Sequence, residues 1–269
     1  MKPKIHLKPL LTIVFLVFCP LLLSTPLSAE LSVESYCQAA AQVGQQELVY
    51  LGKLDVLTGK YTESYSDFQR YCSNPKVYLD QRAAFQKEFN DAKAAIFTVF
   101  GTTPAEYSAF GIVNKDAIAA YLAANPDVKA TLEGLSGEIN KFKAKVKVPT
   151  YCLLTIAHAM QKFAQINEQI EVARQYSDTR ESFLEQEQLK RKEWDAKINT
   201  LFKLFDTSIE EYLTFMGKNA QATKQYLDRH EVIKKKIDEL SGQVLTVLRQ
   251  YEELRKNIVT KATPGPPRR

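Results

Sequence analysis

The chain is poor in the residues on which compact local chemistry depends. It has four Cys, three His, one Trp and ten Gly in 269 residues. Four Cys are far too few for a disulfide scaffold. The three His come with no Cys-x-x-Cys, His-Glu-x-x-His or Glu-x-x-His. No ligand spacing for structural zinc, haem or a carboxylate-bridged metal pair is present, so no metal and no cofactor is expected. Gly-rich phosphate loops and nucleophile elbows are missing as well, and no catalytic residue is assigned. No alternating strand pattern bounded by turn residues occurs, which excludes the common β classes. What is there is 45% hydrophobic and 25% charged, enough to bury a core and too apolar for a disordered chain.

The one long apolar run is N-terminal. Lys2, Lys4 and Lys8 precede Leu10 to Leu23, a run broken at Pro20. It is too short for a spanning helix, which needs roughly 20 residues. Leu27-Ser28-Ala29 offers a cleavage site, so residues 1–29 are read as a signal peptide and the remainder as periplasmic or secreted. An uncleaved anchor is the alternative; Cys19 lacks the small residues that lipidation requires. The formal charge of +5 owes three units to those lysines. Without them 33 basic residues face 31 acidic ones, which gives no electrostatic case for nucleic acid. The runs Lys141, Lys143, Lys145, Lys147 and Lys234, Lys235, Lys236 read as solvated helix faces.

Sliding the chain by 105 residues aligns 96–137 with 201–242, and fourteen positions are identical. About two or three would match by chance. The pairs include Phe97/Phe202, Phe100/Phe205, Glu106/Glu211, Tyr107/Tyr212, Phe110/Phe215, Asn114/Asn219, Ala117/Ala222, Tyr121/Tyr226 and Gly137/Gly242. Tyr36-Cys37 resembles Tyr151-Cys152 at an offset of 115, which puts about ten extra residues in the first copy between Tyr61 and Pro75. The expected organisation is therefore two tandem units, 30–149 and 150–260, with Pro149 at the junction and a disordered tail over 261–269.

The periodicity is helical. Tyr107, Phe110, Asn114, Ala117 and Tyr121 follow 3-4 spacing, as do Tyr212, Phe215, Asn219, Ala222 and Tyr226, which predicts one helical seam in each unit. Ile233, Ile237, Leu240, Val244, Val247, Tyr251, Leu254 and Ile258 continue the pattern, with Val128 to Val146 as their counterpart. Thr103-Pro104 with Glu106 reads as a capping box, and Thr207 and Ser208 followed by Glu210 and Glu211 repeat the idea. Gly101 and Asp206 occupy matching helix ends. The predicted fold is all-α, an elongated helical bundle of two related units with coiled-coil-like packing.

Export favours a disulfide, and Cys37–Cys72 is the expected pairing, with Cys37–Cys152 as the alternative. Asn114 and Asn219 read as buried amides on the seams, or as polar handles in a groove lined by Tyr107, Tyr121, Tyr212 and Tyr226. Gly137 and Gly242, in helix interiors, predict a close helix contact. These features favour an exported, non-enzymatic scaffold, adaptor or chaperone-like protein that binds protein partners through helix surfaces. The alternatives are a small-molecule or cofactor binder with a Tyr/Asn-lined cavity, and an amphipathic protein in peripheral contact with a membrane.

Overall fold

The computed structural model describes residues 31–260, so the expected signal peptide and the tail 261–269 lie outside the described residues. Every regular element among them is a helix: α1 (Val33–Glu63), α2 (Tyr65–Ser73), α3 (Lys76–Val99), α4 (Pro104–Val113), α5 (Lys115–Ala124), α6 (Pro126–Gln175), α7 (Arg180–Leu204), α8 (Ile209–Lys218), α9 (Ala220–Arg229) and α10 (Glu231–Thr260). None of these helices is long and apolar enough to cross a membrane.

Short polar residues define the ends. Ser32 caps α1 by accepting from the Ser35 N–H at 3.0 Å. Ser64 closes α1 and caps α2. Asn74 accepts from the Lys76 N–H at 3.0 Å, and the neighbouring Pro75 opens α3. Thr103 with Glu106 and Ser208 with Glu211 each form a reciprocal capping box, which satisfies two backbone donors that a helix start leaves unpaired. Helices α3 and α7 both stop in a left-handed turn, at Gly101 (φ 63°) and Asp206 (φ 53°). The following N–H returns to Phe97 O at 2.9 Å and to Phe202 O at 3.2 Å. Glycine suits this position, whereas Asp carries a backbone cost of about 1 kcal/mol there.

The 50-residue α6 is about 75 Å long at 1.5 Å per residue. Its first half lies parallel to α1. Lys143 pairs with Glu47 and Lys145 with Asp55, each at 2.6 Å, and Thr150 lies 3.4 Å from Thr58. Its second half lies beside α10. Early α10 residues Ile233 and Leu240 share a cluster with Leu153 and Leu154, while Val247, Tyr251 and Ile258 join Ile166, Ile170 and Ala173. Tyr50, Leu51, Leu54, Ile139 and Val146 form a third cluster, between α1 and α6. The seam residues of α10 are all buried or half-buried, as apolar residues at 3-4 spacing should be.

Several expectations need correction. The expected unit boundary at Pro149 is no break, because α6 runs through it. Pro149 has no N–H to bond the carbonyl four residues back, yet the helix continues past it. The Tyr107–Tyr121 and Tyr212–Tyr226 stripes are not single seams. Each is interrupted at its Asn, the C-cap of one ten-residue helix and the start of the next. The side-chain amides of Asn114 and Asn219 donate to Phe110 O at 3.1 Å and Phe215 O at 2.9 Å. A short amide that caps the preceding turn competes with helix continuation. Gly137 and Gly242 make no close helix contact: a Cβ at either would meet nothing within 4 Å. The close approach is at Gly111, where a Cβ would lie 3.0 Å from Tyr36 Cζ.

Neither disulfide forms, since Cys37, Cys72 and Cys152 are all free thiols. Cys37 lies near the start of α1. Tyr61, which meets Tyr71 beside Cys72 at 6.1 Å between ring centroids, is about 36 Å further along that helix. Cys152 is as remote, because its neighbour Thr150 meets α1 at Thr58. A disulfide needs Cα atoms within about 7 Å.

Candidate functional site

Helices α1, α3 and α6 and the α7–α8 junction surround a groove of about 760 Å3. Each wall follows from a local feature. The parallel pair α1 and α6 contributes Leu51, Leu54 and Val146 from the facing stripes. The left-handed stop of α7 swings Phe205 and Asp206 towards α3. The Ser208 capping box then starts α8, which adds Thr214, Phe215 and Lys218.

The centre of the site is Arg82 of α3, only 2% exposed. Its Nε donates to Leu204 O at 2.6 Å and its Nη2 to Asp206 Oδ2 at 3.1 Å. The guanidinium lies over the Phe205 ring at 4.9 Å. Asp206 also accepts from the Tyr50 hydroxyl and from the Gln86 amide. Burial first, and then the Asp206 charge, push the Tyr50 phenol above its ordinary range against the pull of Arg82. It therefore stays a donor. The left-handed backbone at Asp206 is held by three side chains from α1 and α3, which is how a strained residue persists. The Nη1 of Arg82 is buried and has no hydrogen-bond partner, an unusual state for a charged group in a folded chain.

Charge around the groove is mixed. Glu47 is paired with Lys143, and Glu211 is engaged in capping α8. Lys147 lies over Phe215 at 4.9 Å and over Tyr151 at 5.6 Å. Neither Lys147 nor Lys218 forms an ion pair among the described residues, nor does Glu210. Tyr50 stacks on Phe89 at 5.1 Å. Tyr151 donates to Thr207 Oγ1 at 2.9 Å, joining α6 to the same junction.

Of the six seam residues, only Asn219 borders the groove. Tyr107 stacks on Tyr36 at 4.3 Å and meets Phe97 at 4.9 Å. Tyr212 meets Tyr151 at 5.4 Å and Phe202 at 5.5 Å, and its hydroxyl bonds Thr155 at 2.7 Å. Tyr226 is buried and stacks on His230 at 4.0 Å. Tyr121 is half-buried on α5, and Asn114 lies away from the groove. The stripes serve as packing, and the groove belongs to Tyr50, Arg82, Gln86 and Asp206. Those four carried no spacing signal. The one visible clue was an Asp where the matching helix end has Gly101.

The thiols show no activation. Burial pushes Cys152 up to about 12. Burial, and then Lys162, lower His158, whose ring packs against Phe202 at 5.3 Å. No group of three or more His, Cys, Asp or Glu that could hold a metal occurs among the described residues. No family model matches this chain, and no curated protein or solved structure matches it closely enough to suggest a fold name or a function.

Proposed function

We propose that this chain is an exported, non-enzymatic binding protein made of two tandem copies of one helical unit, and that its ligand lies in the groove where the copies meet. The duplication is supported by equivalent packing. Tyr36, Phe97, Tyr107 and Phe110 form one aromatic group, and Tyr151, Phe202, Tyr212 and Phe215 form its counterpart. Helix α2 falls where the first copy has its extra residues. On this reading α6 is shared, its first half closing one unit and its second half opening the next. The copies resemble neighbours in a helical repeat array, where each unit buries its stripe on the next.

The observation that carries the groove reading is a concavity of ligand size between apolar walls, with the Arg82–Asp206 pair and the unpaired Lys147 and Lys218 on its lining. Small-molecule sites are commonly clefts of about 300–1,000 Å3 with apolar walls and a few placed polar groups. The test is photocrosslinking from position 214, inside the groove, in the native compartment. A discrete small adduct supports the reading, and crosslinks to nothing but solvent argue against it.

A scaffold or adaptor role is favoured by a separate feature. Helices α4 and α5 bury no residue, and Ile112 and Val113 at the end of α4 are 79% and 80% exposed. Exposed apolar patches mark contact surfaces for proteins or membranes. Replacing Ile112 and Val113 by Lys should leave the fold intact and abolish capture of a partner, if that surface is the functional one.

A further inference from the structure

The first unit carries a face that lacks the cover its counterpart has in the second, a comparison that rests on the two-copy reading. Phe205, Tyr226, Ile233 and Leu240 are buried in one cluster with Phe68 of α2 and Tyr78 of α3. Phe205 meets the Tyr78 ring at 5.9 Å, and Ile233 borders a cleft with Thr62 and Phe68. The first unit thus lies over this face of the second. At the offset of 105 the counterparts are Phe100, Tyr121, Val128 and Leu135, and all four are only half-buried. Leu204 packs on the same cluster, whereas its counterpart Val99 is 79% exposed.

A face left to water should be the more polar of the two, and here it is the less polar. Glu210, Thr214 and Lys218 border the groove between the units. Their counterparts are Ala105, Ala109 and Val113, all exposed. Residues 99–135 hold six charged side chains, against thirteen in 204–240. An exposed apolar face of this kind marks a contact surface. The occupant follows from what this chain can offer. In the second unit α6 and α7 are joined by residues 176–179 with no helix between them, so α2 has no counterpart there. Phe183 and Glu187, at the positions of Tyr78 and Arg82, are closed off by Val247, Tyr251 and Arg255 of α10. Head-to-tail stacking of chains is therefore blocked, and a second copy still has this same face free. We infer that two copies of this chain pair through their first units, α4, α5 and the start of α6 meeting their own counterparts across a two-fold axis. The pairing also names the partner for the exposed end of α4.

The experiment is sedimentation velocity on the full exported chain over a micromolar concentration series, and a species of twice the chain mass is expected. Ala105→Glu combined with Val113→Lys installs the side chains that α8 already carries at Glu210 and Lys218, and should weaken pairing at least about tenfold. Leu213→Glu, on the exposed side of α8, should change nothing. Circular dichroism and urea melts establish that each variant is folded. If the combined variant is not, a photocrosslinker at position 109, in a mixture of isotope-labelled and unlabelled chains, keeps the test decisive. Its crosslinks are expected within residues 99–135 of the second copy. A monomer at every concentration, undiminished pairing of the folded combined variant, or crosslinks to residues 176–204 of the second copy would overturn the inference. So would flotation of a monomeric chain with anionic liposomes, which would assign the face to a membrane. Each of those results would leave the two-copy reading and the groove reading standing.

Discussion

Arg82 and Asp206, 124 residues apart in the chain, meet at 3.1 Å and tie α3 to the end of α7. The pair is buried at one end and wet at the other, at 2% and 38% side-chain exposure. Tyr50 and Gln86 complete the attachment of Asp206 to α1 and α3.

Removing the cation should therefore cost less than breaking a fully enclosed pair. Arg82→Met is expected to lower stability by about 2–3 kcal/mol, against about 3–5 kcal/mol for a fully buried pair. Asp206→Asn keeps an acceptor and tolerates the left-handed backbone, and should cost about 1 kcal/mol. The double variant should cost less than the sum, since the residues share one network. Urea midpoints measure all three, and strict additivity would show that the pair does not join the two halves.

The glycines give a test with opposite signs. Gly137 and Gly242 lie in exposed helix interiors with open space around them. Alanine at either should stabilise by about 0.5–1 kcal/mol. Gly101→Ala should destabilise by about 1 kcal/mol, because φ there is 63°. Calorimetry should show Tm rising for the first two and falling for the third. A lower Tm at Gly137 or Gly242 would mean that a helix does pack there.

Acid should weaken the far end of the molecule through Glu187, which is buried among Tyr251, Arg255 at 2.9 Å and Arg191 at 3.3 Å. Burial pushes its carboxyl upward. The bonds from Arg255 and Tyr251 and the charges of Arg255 and Arg191 outweigh that and hold it below its ordinary value of 4.5. A depressed carboxyl contributes stability above its unfolded pKa and loses it as pH falls through the folded one. Glu187→Gln should therefore be less stable than the parent at neutral pH, and the gap should close as the pH is taken below 4.5. A gap that stays unchanged well into the acid range would refute the ionic account of this cluster.

Thiol labelling checks the cysteines. Cys72 is half-buried, whereas Cys37 and Cys152 are buried. Burial raises all three thiols, Cys72 to about 11 and Cys152 to about 12. Maleimide at neutral pH should react slowly with Cys72 and reach the other two only on unfolding. Reductant should leave Tm unchanged. A crosslinked peptide containing Cys37 and Cys72 would refute the extended course of α1.

How far the site could be read in advance depended on distance along the chain. The capping boxes at Thr103 and Ser208 were legible because both partners lie within one helical turn. The Tyr stripes misled because 3-4 spacing continues across Asn114 and Asn219, where the amide turns back on its own helix and ends it. Gly137 and Gly242 misled because a helix glycine signals close approach only if another helix is there. Nothing near Arg82 in the chain distinguishes it from the solvated Lys and Arg around it.

The amino-acid sequence by itself determined an all-α chain, the capped starts of α4 and α8, the stops of α3 and α7 and the apolar face of α10. Those properties rest on hydrogen bonds and side-chain spacing within a turn or two. The tertiary structure alone decided that α6 passes unbroken through Pro149, that α1 separates Cys37 from Cys72, and that Tyr50, Arg82 and Gln86 converge on Asp206. These depend on how one half of the chain lies against the other. Contacts made across more than a hundred residues leave no periodicity for a sequence to display.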